Sequence, residues 1–218
     1  MENIILFDMD GTLTKPRQKI QIPVINKLID ILESGHHVGI VTGSPENYID
    51  EQLSKFLSEI VSHYNHLAQR LHLLPCNGTK YIVFEDKHRK EVASNNMATN
   101  LPEGSFNSIM AALIQLQSTL TDLLLSSGLS LTGNFIQYRG SMINWCPVGR
   151  NANHEERAAF VEYDKLTNFR NDLKNVIEEW FEENKLSNEL TVALGGSTSF
   201  DIYPTGWDKT YALKRFPE

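Results

Sequence analysis

The stretch Ile4-Ile5-Leu6-Phe7-Asp8-Met9-Asp10-Gly11-Thr12 sets two carboxylates one residue apart at the end of an apolar run. Four consecutive apolar residues closed by a polar turn read as a short buried strand. Side by side and unpaired, Asp8 and Asp10 would repel one another, and burying either would be costly. The arrangement makes sense where something strongly positive, or a phosphate with its metal, belongs between them. An aspartate carboxylate attacks a phosphoryl group once a cation neutralises its approach. A second carboxylate two residues on can deliver and remove the proton of the leaving or entering oxygen. Mg²⁺ suits such a site, because it takes a few carboxylates together with water and phosphate oxygens. The alternative is a solvated, Asp-rich turn.

Working outward, residues 22–35, IPVINKLIDILESG, carry apolar residues at helical spacing and stop at Gly35. Residues 36–44, HHVGIVTGS, form a second apolar run that breaks into a Gly-Ser turn. Ser44 then reads as the N-cap, and Pro45 as the first helical residue, of a helix over 45–60. Strand, helix, strand, helix implies parallel βαβ units. Ser44, at the mouth of the second strand, would place a hydroxyl and a helix N-terminus on the phosphate. Lys209, in GWDKTYALKRF, would supply the remaining positive charge.

The pattern changes near residue 75. An Asn-Gly turn at residues 77 and 78 precedes a hairpin with Glu85-Asp86-Lys87-His88 at its tip. An amphipathic helix is expected over 106–125, and two short strands over 134–139 and 141–147, joined through Gly140. Charged helices follow over 154–185, then a hairpin over 189–204 that turns at Gly195-Gly196. The expected fold is α/β: a doubly wound parallel core from residues 1–84 and 203–218, with an antiparallel α+β cap inserted over 85–202.

Composition narrows the class. The 218 residues are 41% hydrophobic and 22% charged, with a net charge of −7, which argues against a nucleic-acid binder resting on a basic face. No run approaches the length of a membrane span and no signal peptide opens the chain, so a cytoplasmic protein with no membrane partner is expected. Cys76 and Cys146 suggest no disulfide framework. His36-His37 and His63/His66 have spacings that suit a metal, but no carboxylate or cysteine ligand set accompanies them.

Asp-x-Asp-Gly-Thr after an apolar strand resembles the signature of the haloacid dehalogenase superfamily. The segments DGTLTKPRQKI, NFIQYRGSMINWCPVGR, EERAAF and GGSTSFDIYPTGWDK occur in the order in which the eukaryotic-type phosphomannomutases carry them. The resemblance covers residues 4 to about 214. The first motif specifies only the superfamily; the arginine-bearing and SFDIYPTGWDK segments are far more specific. The resemblance implies a mutase that moves phosphate between C6 and C1 of mannose for GDP-mannose synthesis, with Mg²⁺ as cofactor and a hexose 1,6-bisphosphate as activator. It makes Asp8 the nucleophile and Asp10 the acid/base, both at the metal, with Ser44 and Lys209 completing the catalytic set. Arg139, Arg150 and Arg157 become ligands of the distal phosphate on a type IIB-like cap, Arg17 reaches in from the core, and Ser199 and Asp201 hold sugar hydroxyls or phosphate. A homodimer through the cap is also implied. For Arg157, an ion pair with Glu155 or Glu156 is the competing reading.

The family pattern continues beyond its Trp-Asp-Lys segment to an acidic Gly-Asp…Gly-Gly-Asn-Asp motif that completes the metal site. Ending at Glu218, the core is expected to be incomplete and its first strand to lie at an open edge. The readings that follow are an active mutase, a sugar-phosphate phosphatase of the same superfamily, or an inactive sugar-phosphate-binding protein or fragment.

Overall fold

The computed structural model describes residues 3–15 and 17–216. The chain divides into two compact units, Met1–Asn95 with Gly206–Glu218, and Asn96–Thr205.

The first unit contains β1 (Ile4–Asp8), α1 (Ile22–Glu33), β2 (His37–Val41), α2 (Glu46–Ser62), β3 (Leu71–Leu74), β4 (Lys80–Glu85) and β5 (His88–Ser94). Its sheet runs β1-β2-β3-β4-β5, with β1 at one edge. The first three strands are parallel, and β4 and β5 join antiparallel. The helices form because their apolar residues fall on one stripe: Ile25, Leu28, Ile29 and Leu32 in α1, and Ile49, Leu53, Phe56, Leu57 and Ile60 in α2. Both stripes belong to one core with Val38, Ile40, Leu71 and Leu73. A second, smaller cluster joins Leu6, Val41, Leu74 and Tyr81 to Ala212 and Phe216 of the returning chain.

Two expectations shift here. The β4–β5 hairpin turns through Asp86 and Lys87, both with positive φ (46° and 71°), and β5 pairs along β4 from Glu85↔His88 to Lys80↔Ser94. A boundary at 84/85 would therefore cut a hydrogen-bonded ladder, and the units divide at 95/96 and 205/206 instead. Helix α2 begins at Glu46, with Pro45 as its N-cap at ψ 166°, so Ser44 lies outside the helix and caps nothing.

The second unit contains α3 (Met97–Asn100), α4 (Ser105–Ser126), β6 (Ile136–Tyr138), β7 (Ile143–Trp145), α5 (His154–Thr167), α6 (Phe169–Glu183), β8 (Leu190–Gly195) and β9 (Ser199–Pro204). Its sheet is antiparallel throughout, in the order β6-β7-β9-β8. Alternation gives it two unlike faces. Ile143, Trp145, Phe200 and Ile202 are fully buried, and Trp145 stacks on Phe200 with ring centroids 5.2 Å apart. Ile202 lines a cavity of about 270 Å³ with Ile109 and Leu113 of α4 and Ile177 and Phe181 of α6. Gln117 ties α4 to the sheet, accepting from Trp145 Nε1 (2.8 Å) and donating to Pro147 O (3.0 Å). The other face carries the cross-strand row Gln137, Asn144 and Asp201.

Helix α4 corrects the statement that no run approaches a membrane span. Its 22 residues, with a mean hydropathy of 1.3 over 18 of them, are long and apolar enough by length and composition alone. The unbroken apolar runs are short because Ser, Thr, Gln and Asn interrupt them, but Asp122 is the helix's single charge.

Candidate functional site

In the first unit, Asp8 ends β1 and the chain then folds back on itself. Met9 O accepts from Leu13 N and Thr14 N (3.0 Å each), and Gly11 N donates to Thr14 O at 2.7 Å. Thr14 Oγ1 donates to the buried Gln52 of α2 at 2.8 Å, which fixes this loop to the helix. Asp8 Oδ1 accepts from Met9 N (2.8 Å), and its Oδ2 accepts from Lys209 Nζ (2.6 Å). Nucleophile and lysine, as read from sequence, are thus brought together. Arg17 sits on the exposed loop before α1, in a left-handed conformation with φ 60°.

Ser44 follows the end of β2, whose Val41 pairs in register with Asp8. Its amide donates to Thr42 Oγ1 at 3.1 Å. Asp8, Asp10 and Ser44 therefore cluster at the carboxyl ends of parallel strands, where α/β sheets place their ligands.

Lys209 reaches this end because the returning chain is clamped. Asn77 Nδ2 donates to Trp207 O (3.1 Å), and Asn77 N donates to Thr42 O (2.8 Å). Gly78, at φ +81°, lets Ala212 approach so closely that a Cβ there would lie 2.6 Å from Ala212 Cα. Arg215 donates to Gly78 O (2.8 Å), Thr79 O (2.9 Å) and Asn95 Oδ1 (2.7 Å). Asp208 caps the short 3₁₀ segment Lys209–Arg215, and the hydrogen bonds from the Thr210 hydroxyl and amide hold its carboxyl below the usual carboxylate range. Asn77 and Arg215 escaped the sequence reading; the Asn-Gly pair was legible as a turn, its role as an anchor was not.

Among the described residues no group of three or more His, Cys, Asp or Glu side chains is placed to hold a metal. The carboxylates of Asp8 and Asp10 are the available oxygen donors. Asp10 Oδ1 is buried and without a hydrogen-bond partner among the described residues. An orphaned carboxylate oxygen is costly inside a protein and marks a place for a cation or a proton. The donor set therefore fits Mg²⁺, a hard ion that takes one or two carboxylates and completes its shell with water and phosphate.

In the second unit, Arg139 follows β6, with its amide donating to Met142 O (2.9 Å) and its Nε to Gln137 Oε1 (3.3 Å). Arg150 Nη1 donates to Asn144 Oδ1. Asn144 Nδ2 in turn donates to Asp201 Oδ1 (2.6 Å) and Ser199 Oγ (3.1 Å). Arg150, Ser199 and Asp201 are thus gathered around one carboxamide, which the sequence reading missed although Asn144 lies inside the segment that carried the resemblance. Arg157 stands in the first turn of α5. Its neighbour Glu156 accepts from Thr132 Oγ1 at 3.0 Å and from Asn153 N at 2.7 Å. Ser141 Oγ, beside Arg139 in sequence, is buried without a partner among the described residues.

The profile of the family described as eukaryotic phosphomannomutase matches residues 25–218. The phosphomannomutase of Dendrobium officinale is 34% identical over 99% of this chain and 77% of its own length. Phosphomannomutase 1 of Dictyostelium discoideum is 31% identical over the same shares. Among solved structures, the IMP-nucleotidase of Plasmodium falciparum superposes with a TM-score of 0.60 at 13% identity. That match covers 98% of this chain and about half (50%) of the nucleotidase, and at this identity it speaks for the fold alone. The profile match and the near-complete alignment to curated relatives place the chain in the eukaryotic phosphomannomutase family.

Proposed function

We propose that the chain interconverts mannose 6-phosphate and mannose 1-phosphate, supplying GDP-mannose synthesis in the cytoplasm. The observation that carries this reading is the 2.6 Å contact of Lys209 with Asp8 at the strand ends, in a chain of this family. With Asp8 phosphorylated, the free hydroxyl of the bound sugar monophosphate loses its proton to Asp10 and attacks that phosphorus; the bond from phosphorus to Asp8 breaks and a sugar bisphosphate forms. The bisphosphate turns over in the site, Asp8 attacks its other phosphate, the bond from that phosphorus to the sugar oxygen breaks, and Asp10 protonates the oxygen as it leaves, which restores the phosphorylated Asp8. A hexose 1,6-bisphosphate primes the cycle by phosphorylating Asp8. Asp8 through its carboxylate and Asp10 through its backbone carbonyl would hold Mg²⁺, which when bound supplies charge neutralisation for the attack on phosphate. Ser44 and Lys209 bind the transferring phosphate.

The sugar's second phosphate is assigned to Arg139, Arg150 and Arg157, whose forked donors match phosphate oxygens, and Arg17 is a further substrate-binding arginine. Ser199 and Asp201 take sugar hydroxyls. A homodimer through the second unit is supported by apolar side chains exposed on α4, including Ile114 at 59% and Leu125 at 52%.

The test is turnover of mannose 1-phosphate with Mg²⁺ and a trace of glucose 1,6-bisphosphate, beside an Asp8→Asn control. Mannose 6-phosphate that forms only with Asp8 intact supports the mutase. Free phosphate with mannose would make the chain a phosphatase. Neither product would leave a binding protein.

A further inference from the structure

Asn144 is 2% exposed, and its carboxamide is the meeting point of a cation and an anion. Arginine can only donate and an ionised carboxylate can only accept, so one orientation of the amide satisfies both. Oδ1 faces Arg150, while Nδ2 faces Asp201 Oδ1 at 2.6 Å, Ser199 Oγ at 3.1 Å and Phe200 O at 3.4 Å. Register explains the placement, because Asn144 pairs directly with Asp201 across β7 and β9. Arg150 and Asp201 are held on opposite sides of one neutral group.

We propose that Asn144 is a positioning residue that acts as a neutral spacer, keeping Arg150 and Asp201 from pairing so that the guanidinium's charge stays available to a phosphate monoester. A guanidinium in direct contact with a carboxylate forms a strong, often two-pronged pair and loses its pull on a second anion. The spacer fixes the arginine by a hydrogen bond that leaves its charge uncancelled. It also satisfies Asp201, its cross-strand partner on the same sheet face. This inference rests on the phosphate-binding reading of the second unit.

The test is titration of inorganic phosphate and of mannose 6-phosphate into the intact chain, with a thermal melt of each variant. Asn144→Ala removes the spacer and lets Arg150 close on Asp201; phosphate affinity is expected to fall by about tenfold or more. Adding Asp201→Asn to that variant removes the competing anion, and affinity for inorganic phosphate should return to within about threefold of the parent. If Asn144 merely braced the sheet, the second change would rescue nothing, and that result overturns the proposal. The charge swap Asn144→Asp with Asp201→Asn gives a check with different packing. It keeps the parent's net charge but brings the carboxylate against Arg150, so it should bind phosphate more weakly than the parent. Affinity equal to the parent's also overturns the spacer. A parent chain that binds neither phosphate nor mannose 6-phosphate overturns both the phosphate-binding reading and the inference built on it.

Discussion

Lys209 Nζ lies 2.6 Å from Asp8 Oδ2 across 201 positions of sequence, with the two side chains 53% and 35% exposed. An ion pair this open contributes at most about 1 kcal/mol to stability. Its placement by Asn77, Gly78 and Arg215 is therefore better accounted for by chemistry at Asp8. Lys209→Gln should shift the melting temperature by no more than a few degrees yet lower turnover by roughly 10²- to 10³-fold, the usual effect of removing one group that stabilises developing charge. Turnover within a few-fold of the parent would remove Lys209 from the catalytic set.

At the other end of the same strands, His72 accounts for a pH response. It is 9% exposed, with Nε2 2.8 Å from His37 Nδ1, Nδ1 2.8 Å from the Tyr81 hydroxyl, and the Phe216 ring at 5.5 Å. Burial first, and the neighbouring His37 second, lower its pKa from 6.5 to about 4. The folded state thus disfavours a proton that the unfolded chain accepts. The stabilisation is whole above pH 6.5 and is lost as the pH falls towards 4, to an extent of about 2–3 kcal/mol. Urea titrations of the parent and of His72→Phe should differ in their pH slope over this window. Parallel slopes would show that His72 is as easily protonated in the fold as in water.

What the sequence made legible was whatever depends on local period. The strand before Asp8, the helices over 22–33 and 154–183, and the hairpin at Gly195-Gly196 follow from residue spacing and turn chemistry. Three things were not local. Ser44 was read as a cap, yet Pro45 takes that position with an extended backbone, and proline's fixed φ suits the cap as well as the first turn. Strand β5 was assigned to the wrong unit because a hairpin sequence does not say which sheet it extends. Asn144 was overlooked because its partners Ser199 and Asp201 lie 55 and 57 positions away and meet it only through the β7–β9 register.

Gly149 positions Arg150 by adopting a backbone that other residues resist. Its φ is +90°, and a Cβ there would lie 2.0 Å from Thr132 O. Thr132 N already donates to Val148 O (3.0 Å) and Arg150 N to Asn134 O (3.1 Å), so neither side of the loop can yield without losing a bond. Gly149→Ala combines left-handed strain with a backbone clash and should cost about 2–4 kcal/mol. Both denaturant midpoint and phosphate affinity should fall. A variant that keeps both would mean that the loop relaxes freely and that Arg150 does not depend on it.

The start of α5 carries a reciprocal cap that joins two side chains in one motif. Asn153 Oδ1 accepts from Glu156 N (3.0 Å) while Glu156 Oε2 accepts from Asn153 N (2.7 Å). Glu156 Oε1 accepts from Thr132 Oγ1 (3.0 Å), which links the helix to the loop packed on Gly149. Asn153→Ala should cost about 1 kcal/mol, the usual loss for an N-cap. Glu156→Ala should cost more, since it releases the loop as well. Because the two side chains serve one motif, the double variant should destabilise by less than the sum. Additive losses in urea unfolding would show two independent contacts.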